Sequence, residues 1–247
     1  MKRVATDVLL IENRGQVRIL TLNRPEKRNA LNHALTEALL RELHAADADA
    51  GVSCIVLTGA GPGFCAGADI TEFKELRAEN QQLVERRAAL TMDLHHVFSR
   101  MTKPVITAIN GAAMGGGAGL ALAGDLALMA ESAKIGYPEV RHGIVAAIVL
   151  PNLVRQIGRK AAFELIATGQ AVSAQQALAL GMVNRVVPDT ALMSETLRLA
   201  EQLAGVSRPA MATMKQLFYQ VVELPFDQAL AAGREANKRM RGFRKES

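Results

Sequence analysis

Hydrophobic and polar positions alternate through two short stretches near the start of the chain, residues 7–12 and 16–22, which flank the turn sequence Asn13-Arg14-Gly15. This pattern predicts an opening β-hairpin. Asn32 can cap a helix, and Leu35, Leu39 and Leu43 recur at helical spacing behind it, so a helix is expected to run to about Asp49. The mostly apolar run at 52–57 then reads as a strand. Two further rounds follow. A glycine-rich segment at 61–69 leads into helical patterns over 70–101 and a strand at 105–109 opened by Pro104. A second glycine-rich segment at 110–119 leads into a helix through Leu120 and Leu122, then short strands at 126–130 and 134–136. Beyond Pro151 the pattern turns mainly helical. Ser173 with Gln176 is a capping-box signature, 183–187 reads as a last strand, and the rest is helix punctuated by Arg208-Pro209 and Leu224-Pro225.

Strands alternating with helices predict an α/β fold, and repetition of the unit favours a spiral over a single doubly wound sheet. With 247 residues, 49% of them hydrophobic, there is ample material for a buried core. The net charge of +5 raises the question of nucleic acid, but Lys and Arg are scattered and aromatics make up only 4% with no Trp, which leaves few stacking surfaces. No nucleic-acid partner is expected. Cys54 and Cys65 lack CxxC spacing, so neither a disulfide framework nor a metal site is expected. Neither a signal peptide nor a membrane span is read in the chain, and a cytoplasmic location is the expectation.

The two glycine-rich segments, Gly61-Pro62-Gly63-Phe64-Cys65-Ala66-Gly67-Ala68-Asp69 and Asn110-Gly111-Ala112-Ala113-Met114-Gly115-Gly116-Gly117-Ala118-Gly119, each follow a β-branched apolar run and precede a helical pattern. Together they suit a split site in which two backbone N–H groups clasp one oxygen that acquires negative charge, the requirement of enolate chemistry. Rival motifs fit less well. Gly61-x-Gly63-x-x-Ala66 follows a strand like a dinucleotide fingerprint, but Pro62 and Phe64 are awkward where a tight turn must approach a pyrophosphate. No Gly-Lys-Ser/Thr ending and no G-x-S-x-G elbow is present. The adjacent pair His95-His96 would project about 100° apart from a helix, so a solvated helix face is expected for both, as for His44.

Five separated segments resemble, in order and spacing, the crotonase (enoyl-CoA hydratase/isomerase) superfamily over nearly the whole chain. They are Asn23-Arg24-Pro25 with Asn29-Ala30-Leu31-Asn32, Phe64 to Ile70, Ile109 to Gly117, Gly124-Asp125-Leu126 and Gly136-Tyr137-Pro138-Glu139. The resemblance implies a crotonase-like spiral of repeated ββα units at 1–190 that carries an acyl-CoA site. It also implies a helical region at 191–247 that joins subunits as a homotrimer or homohexamer. The backbone N–H groups of Ala68 and Gly116 would form the oxyanion hole for the thioester carbonyl, with Gly115 and Gly117 allowing close main-chain approach. Ala30 and the stretch Ala66, Gly67, Asp69 and Ile70 would line the CoA path, Asp69 capping the following helix. Arg24, Lys27 and Arg28 would be candidates for its phosphates. Glu139 would handle the proton on the acyl chain. No metal or redox cofactor is implied; CoA is part of the substrate.

One departure bears on the reaction. Hydratase members carry a second glutamate three residues after the oxyanion glycine, and this chain has Gly119 there. The segment at 141–150 also lacks the Pro-Gly-Ala-Gly-Gly run typical of hydratases. Hydration needs both a base for water and an acid for the α-carbon. Moving a double bond from the 3 to the 2 position needs only one base that removes the α-proton and returns it at the γ-carbon. Glu139 alone suffices for that, with Gly119 making room for a different acyl chain. The leading expectation is therefore Δ3,Δ2-enoyl isomerisation. Hydration with an atypical second acid, His142, Glu72 or Glu75, is the alternative, and an acyl-CoA-binding protein with weakened catalysis is the reading from outside the enzymes.

Overall fold

The computed structural model describes residues 3–74, 76 and 79–243. Three strands open the chain, β1 (Arg3–Thr6), β2 (Leu9–Arg14) and β3 (Val17–Leu22), the last two forming the expected hairpin around Asn13-Arg14-Gly15 with one further antiparallel strand at its edge. α1 (His33–Ala48) follows, and the Asn32 side chain caps it by accepting from the Leu35 N–H at 3.0 Å. Leu35, Leu39 and Leu43 all reach the core.

Three ββα rounds come next, each made of a long strand, a short strand and a helix. They are β4 (Cys54–Gly59), β5 (Gly63–Cys65) and α2 (Gln81–Arg100); β6 (Val105–Ile109), β7 (Ala112–Met114) and α3 (Gly116–Ala123); and β8 (Leu126–Ala130), β9 (Lys134–Gly136) and α4 (Leu150–Thr168). β10 (Ala171–Ser173), α5 (Ala174–Ala179) and β11 (Arg185–Val187) follow, with the Ser173–Gln176 capping box formed at α5. Three helices complete the fold, α6 (Leu192–Ala204), α7 (Arg208–Val221) and α8 (Phe226–Arg239).

The long strands build a seven-stranded sheet in the order β1-β2-β3-β4-β6-β8-β11, parallel from β3 onward. β4 and β6, rich in Val, Ile and Leu, are buried at every position, as expected when both faces of a parallel sheet are covered. The short strands build a second sheet, β10-β9-β7-β5, in which β5, β7 and β9 run parallel. This is the spiral of ββα units. α6 packs on β3, β4, β6 and β8, so the helix that starts at the expected 190/191 boundary lies against the core sheet, whereas α7 and α8 pack chiefly on each other. α7 is anchored to the core by Lys215, buried within hydrogen-bond reach of Asp125 Oδ2 (2.7 Å) and the Lys103 carbonyl (2.8 Å), and by the Tyr219 hydroxyl on Asp125 Oδ1 (2.9 Å). Among the described residues no helix is long and apolar enough to cross a membrane.

Candidate active site

Three adjacent parallel strands of the small sheet end at one place, and each hands the chain to one part of the site. β5 runs into Ala66–Asp69, β7 into Gly115-Gly116, and β9 into Tyr137-Pro138-Glu139. Open α/β sheets present ligands at the carboxyl ends of their strands for this reason. Side chains and close backbone packing hold the ends together. Asn29, fully buried in a left-handed conformation (φ 56°), donates to the Ala60 and Gly63 carbonyls at 2.9 Å each and accepts from the Arg24 N–H. Asn110 accepts from Gly59 N–H and donates to the Gly61 carbonyl. The Gly115 N–H donates to the Gly136 carbonyl at 2.8 Å, which locks the second glycine loop to β9.

Two N–H groups lie near each other at this junction. Ala68 forms a parallel bridge with Leu31 in which the bonds are made by its neighbours, Leu31 N–H to the Gly67 carbonyl and Asp69 N–H to the Leu31 carbonyl. The N–H of Ala68 itself therefore points away from Leu31. Gly116 is the first residue of α3, whose N–H has no acceptor within the helix, and the helix dipole adds positive potential there. A Cβ built on Gly116 would lie 3.8 Å from the Ala68 nitrogen, and one on Gly67 would lie 3.3 Å from the Gly116 nitrogen. Gly117 leaves no space for a side chain, since its Cβ would strike the Cys65 carbonyl. Gly67, Gly115 and Gly117 are buried, while Ala68 and Gly116 reach the surface between them.

Glu139 begins a short helical turn after Pro138, which supplies a fixed φ and no N–H. Its Oε1 lies 2.7 Å from where a Gly115 Cβ would be, and its Oε2 is buried with no partner among the described residues. Burial raises its pKa above the usual carboxylate value, opposed by its own backbone N–H and by His142. Neighbouring Tyr137 is fully buried, its hydroxyl also without a partner, and burial together with the charge of Glu139 pushes it up.

Several expected residues stand elsewhere than the sequence suggests. Arg24 is turned inward: its guanidinium pairs with Asp69 Oδ2 at 2.9 Å and donates to the Ala30 carbonyl, so it braces the loop and is not presented to a phosphate. Lys27 and Arg28 face solvent. Asp69 is buried and caps the turn after it by accepting from the Thr71 N–H and hydroxyl. Those Thr71 bonds, with Arg24, keep its carboxyl below the usual range. Ala30 is buried, whereas Ala66 and Ile70 lie open beside Ala68, Ile70 at 70% exposure. Glu72 accepts from the His33 N–H at 2.8 Å and pairs with Arg87, so it serves the start of α1 and offers no second acid. His142 is exposed, and Glu75 lies outside the described residues.

Gly119 does not make room for a larger acyl chain. A Cβ there would strike Val149, with Val149 Cβ at 2.7 Å, and would meet His95 Cε1 at 3.0 Å. His95 therefore does not share the solvated face of α2 occupied by His96, which accepts from Arg100. Its ring turns inward against α3, Nε2 is shut from solvent with no partner, and burial lowers its pKa from 6.5 to about 4. Periodicity could have found it, since His95 follows Leu94 and precedes Val97 and Phe98, the buried residues of α2. Arg87, which donates to the Leu31 carbonyl at 2.7 Å and braces the first loop from α2, was also unmarked by any motif.

A family model described as enoyl-CoA hydratase/isomerase matches residues 12–244. A putative enoyl-CoA hydratase of Thermus thermophilus is 42% identical over 83% of this chain and 81% of its own length. The 2,3-dehydroadipyl-CoA hydratase of Escherichia coli is 36% identical over 92% and 88%. Among solved structures, an enoyl-CoA hydratase of Mycobacterium smegmatis aligns with a TM-score of 0.89 at 35% identity, over 94% of this chain and 91% of that one.

Proposed function

Since the chain belongs to the enoyl-CoA hydratase/isomerase family, we propose that it binds enoyl-CoA thioesters with the carbonyl oxygen on the Ala68 and Gly116 N–H groups and uses Glu139 to move the proton next to that carbonyl. The observation that carries this reading is the close approach of three strand ends, the Ala68 and Gly116 amides and one buried carboxyl oxygen that no described residue partners. As Glu139 removes the α-proton, negative charge grows on the thioester oxygen, and preorganised N–H donors stabilise it without having to reorganise. The acidity comes from the thioester, so the scheme calls on no metal or redox cofactor.

Isomerisation of a 3-enoyl to a 2-enoyl thioester is the reaction that Glu139 supports unaided. The carboxylate takes the α-proton, the dienolate rests on the two amides, and the same carboxyl protonates the γ-carbon. The absence of a carboxylate at Gly119, and the occupation of that space by Val149, favour this reading. Hydration is favoured as a second reading by the names of the relatives and by the polar ring of His95 at the same place. The exposed Met214, Phe218, Val222, Phe226 and Leu230 of α7 and α8 and their junction support assembly into a homotrimer or a homohexamer. The test is product analysis with 3-enoyl- and 2-enoyl-CoA for the wild type and Glu139→Gln. The variant is expected to bind both thioesters and to lose turnover by at least about 100-fold. Wild-type levels of turnover in that variant would refute the assignment.

A further inference from the structure

His95 and Glu139 flank the same strip of backbone. Gly115 and Gly119 are joined by the first hydrogen bond of α3, Gly119 N–H to the Gly115 carbonyl at 3.0 Å, and so stand one turn apart. The Glu139 carboxyl lies against Gly115 and the His95 ring against Gly119, and each brings a buried polar atom that no described residue satisfies, Glu139 Oε2 and His95 Nε2. Nε2 is bonded directly to the Cε1 atom that sits 3.0 Å from the Gly119 Cβ position, so it lies close to that position, behind or beside Val149. α2 thus supplies, from another part of the chain, a titratable group where α3 has none.

We propose that His95 is a second acid/base group of this site, one that takes a proton from water, so that the enzyme hydrates 2-enoyl thioesters in spite of Gly119. The proposal rests on the reading of Ala68, Gly116 and Glu139 given above. Nε2 is shut from solvent and Val149 fills the space beside Gly119, so bound substrate has to displace the Val149 side chain. The ring, with its own proton on Nδ1, then presents the Nε2 lone pair to a water at the β-carbon. As the water oxygen bonds to that carbon, Nε2 accepts one proton, the 2-enoyl π pair shifts toward the carbonyl, and the carbonyl pair moves onto the oxygen held by the two amides. The enolate then takes the Glu139 carboxyl proton at the α-carbon. The product has gained H at the α-carbon and OH at the β-carbon, and the imidazolium returns its proton to the Glu139 carboxylate through water. Burial suits both partners: Glu139 is held toward its protonated form, and the lowered pKa of His95, about 4, keeps the ring neutral while giving it the base strength of an ordinary carboxylate.

The experiment measures hydration of 2-enoyl-CoA and isomerisation of 3-enoyl-CoA side by side in the wild type, His95→Phe, His95→Gln, and His95→Phe combined with Gly119→Glu and Val149→Gly. Hydration by the wild type is expected. It should fall at least about 100-fold in both single variants, with isomerisation falling less than about tenfold. In the triple variant it should recover at least about tenfold, because the carboxylate introduced by Gly119→Glu then has the space that Val149→Gly opens. His95→Gln keeps a polar side chain of related size, so it carries the test if the Phe variant fails to fold. Absence of hydration in the wild type, hydration that survives both substitutions, or equal loss of the two activities overturns the role of His95. Glu139→Gln separates this from failure of the underlying reading: if that variant still loses isomerisation, the site assignment stands without His95.

Discussion

Gly67→Ala places a methyl group at the junction of the two loops. The new Cβ would lie 2.7 Å from the Met114 carbonyl oxygen and 3.3 Å from the Gly116 nitrogen, and the residue would have to hold φ near +91°. The backbone strain alone costs about 1–2 kcal/mol for an L side chain. The contact with Met114 is with main chain at the end of β7, so it can be relieved only by moving the strand that delivers Gly115 and Gly116, or by moving Ala68 away from them. Either shift would withdraw one of the two proposed oxyanion donors. Loss of one such donor raises the barrier by about 3 kcal/mol, a fall in kcat on the order of 10²-fold or more. The assay is steady-state turnover of 3-enoyl-CoA together with the affinity for a CoA thioester, which the CoA-binding surface should largely preserve. A Gly67→Ala enzyme that folds and keeps kcat within tenfold of the wild type would refute the convergence of Ala68 and Gly116 on one oxygen.

Lys215→Met should destabilise the fold by about 3 kcal/mol in urea denaturation, because it leaves the Asp125 carboxylate without its cation under α7; adding Asp125→Asn should recover part of that loss, and a single variant within about 0.5 kcal/mol of wild type would contradict the anchoring role. Because burial depresses His95 from 6.5 to about 4, its contribution to stability is complete above pH 6.5 and lost as pH falls toward 4, in total up to about 3 kcal/mol. The urea midpoint of His95→Gln should accordingly vary less between pH 7 and pH 4.5 than that of the wild type, and identical pH dependence would show the ring to be solvated. The proposed isomerisation would use the Glu139 carboxylate, so its kcat/KM should decline as pH falls through a value above the ordinary carboxylate range, in the direction burial imposes. A pH–rate profile that stays flat down to pH 4.5 would remove Glu139 from that role.

The long elements were legible in the residues because each carries its own period. The hairpin, α1 with its Asn32 cap, the strand at 105–109 and the Ser173–Gln176 box all form where patterning and capping chemistry put them. Glu139, Ala68 and Gly116 were singled out through the family resemblance, and the structure brings their three segments close together. Of the second sheet only β9, at 134–136, was legible. β5 and β7 are three residues each, rich in Gly and Ala, and lie inside what reads as loop, too short to show alternation and stable only because β9 and β10 pair beside them. Arg24 reads as a free surface cation until Asp69, far along the chain, is folded beneath it.

What the amino-acid order decided by itself was the set of local elements, their order in an α/β chain and the two glycine segments able to expose backbone amides, since these depend on neighbours within a turn or a strand. What tertiary structure alone decided was the use of the space beside Gly119. Its occupants, His95 on α2 and Val149 just before α4, are distant in sequence, and only packing of α2, α3 and α4 brings a buried imidazole to the place from which a carboxylate is missing. Local periodicity reports which face of a helix is buried; it carries no record of which face of another helix will lie against it.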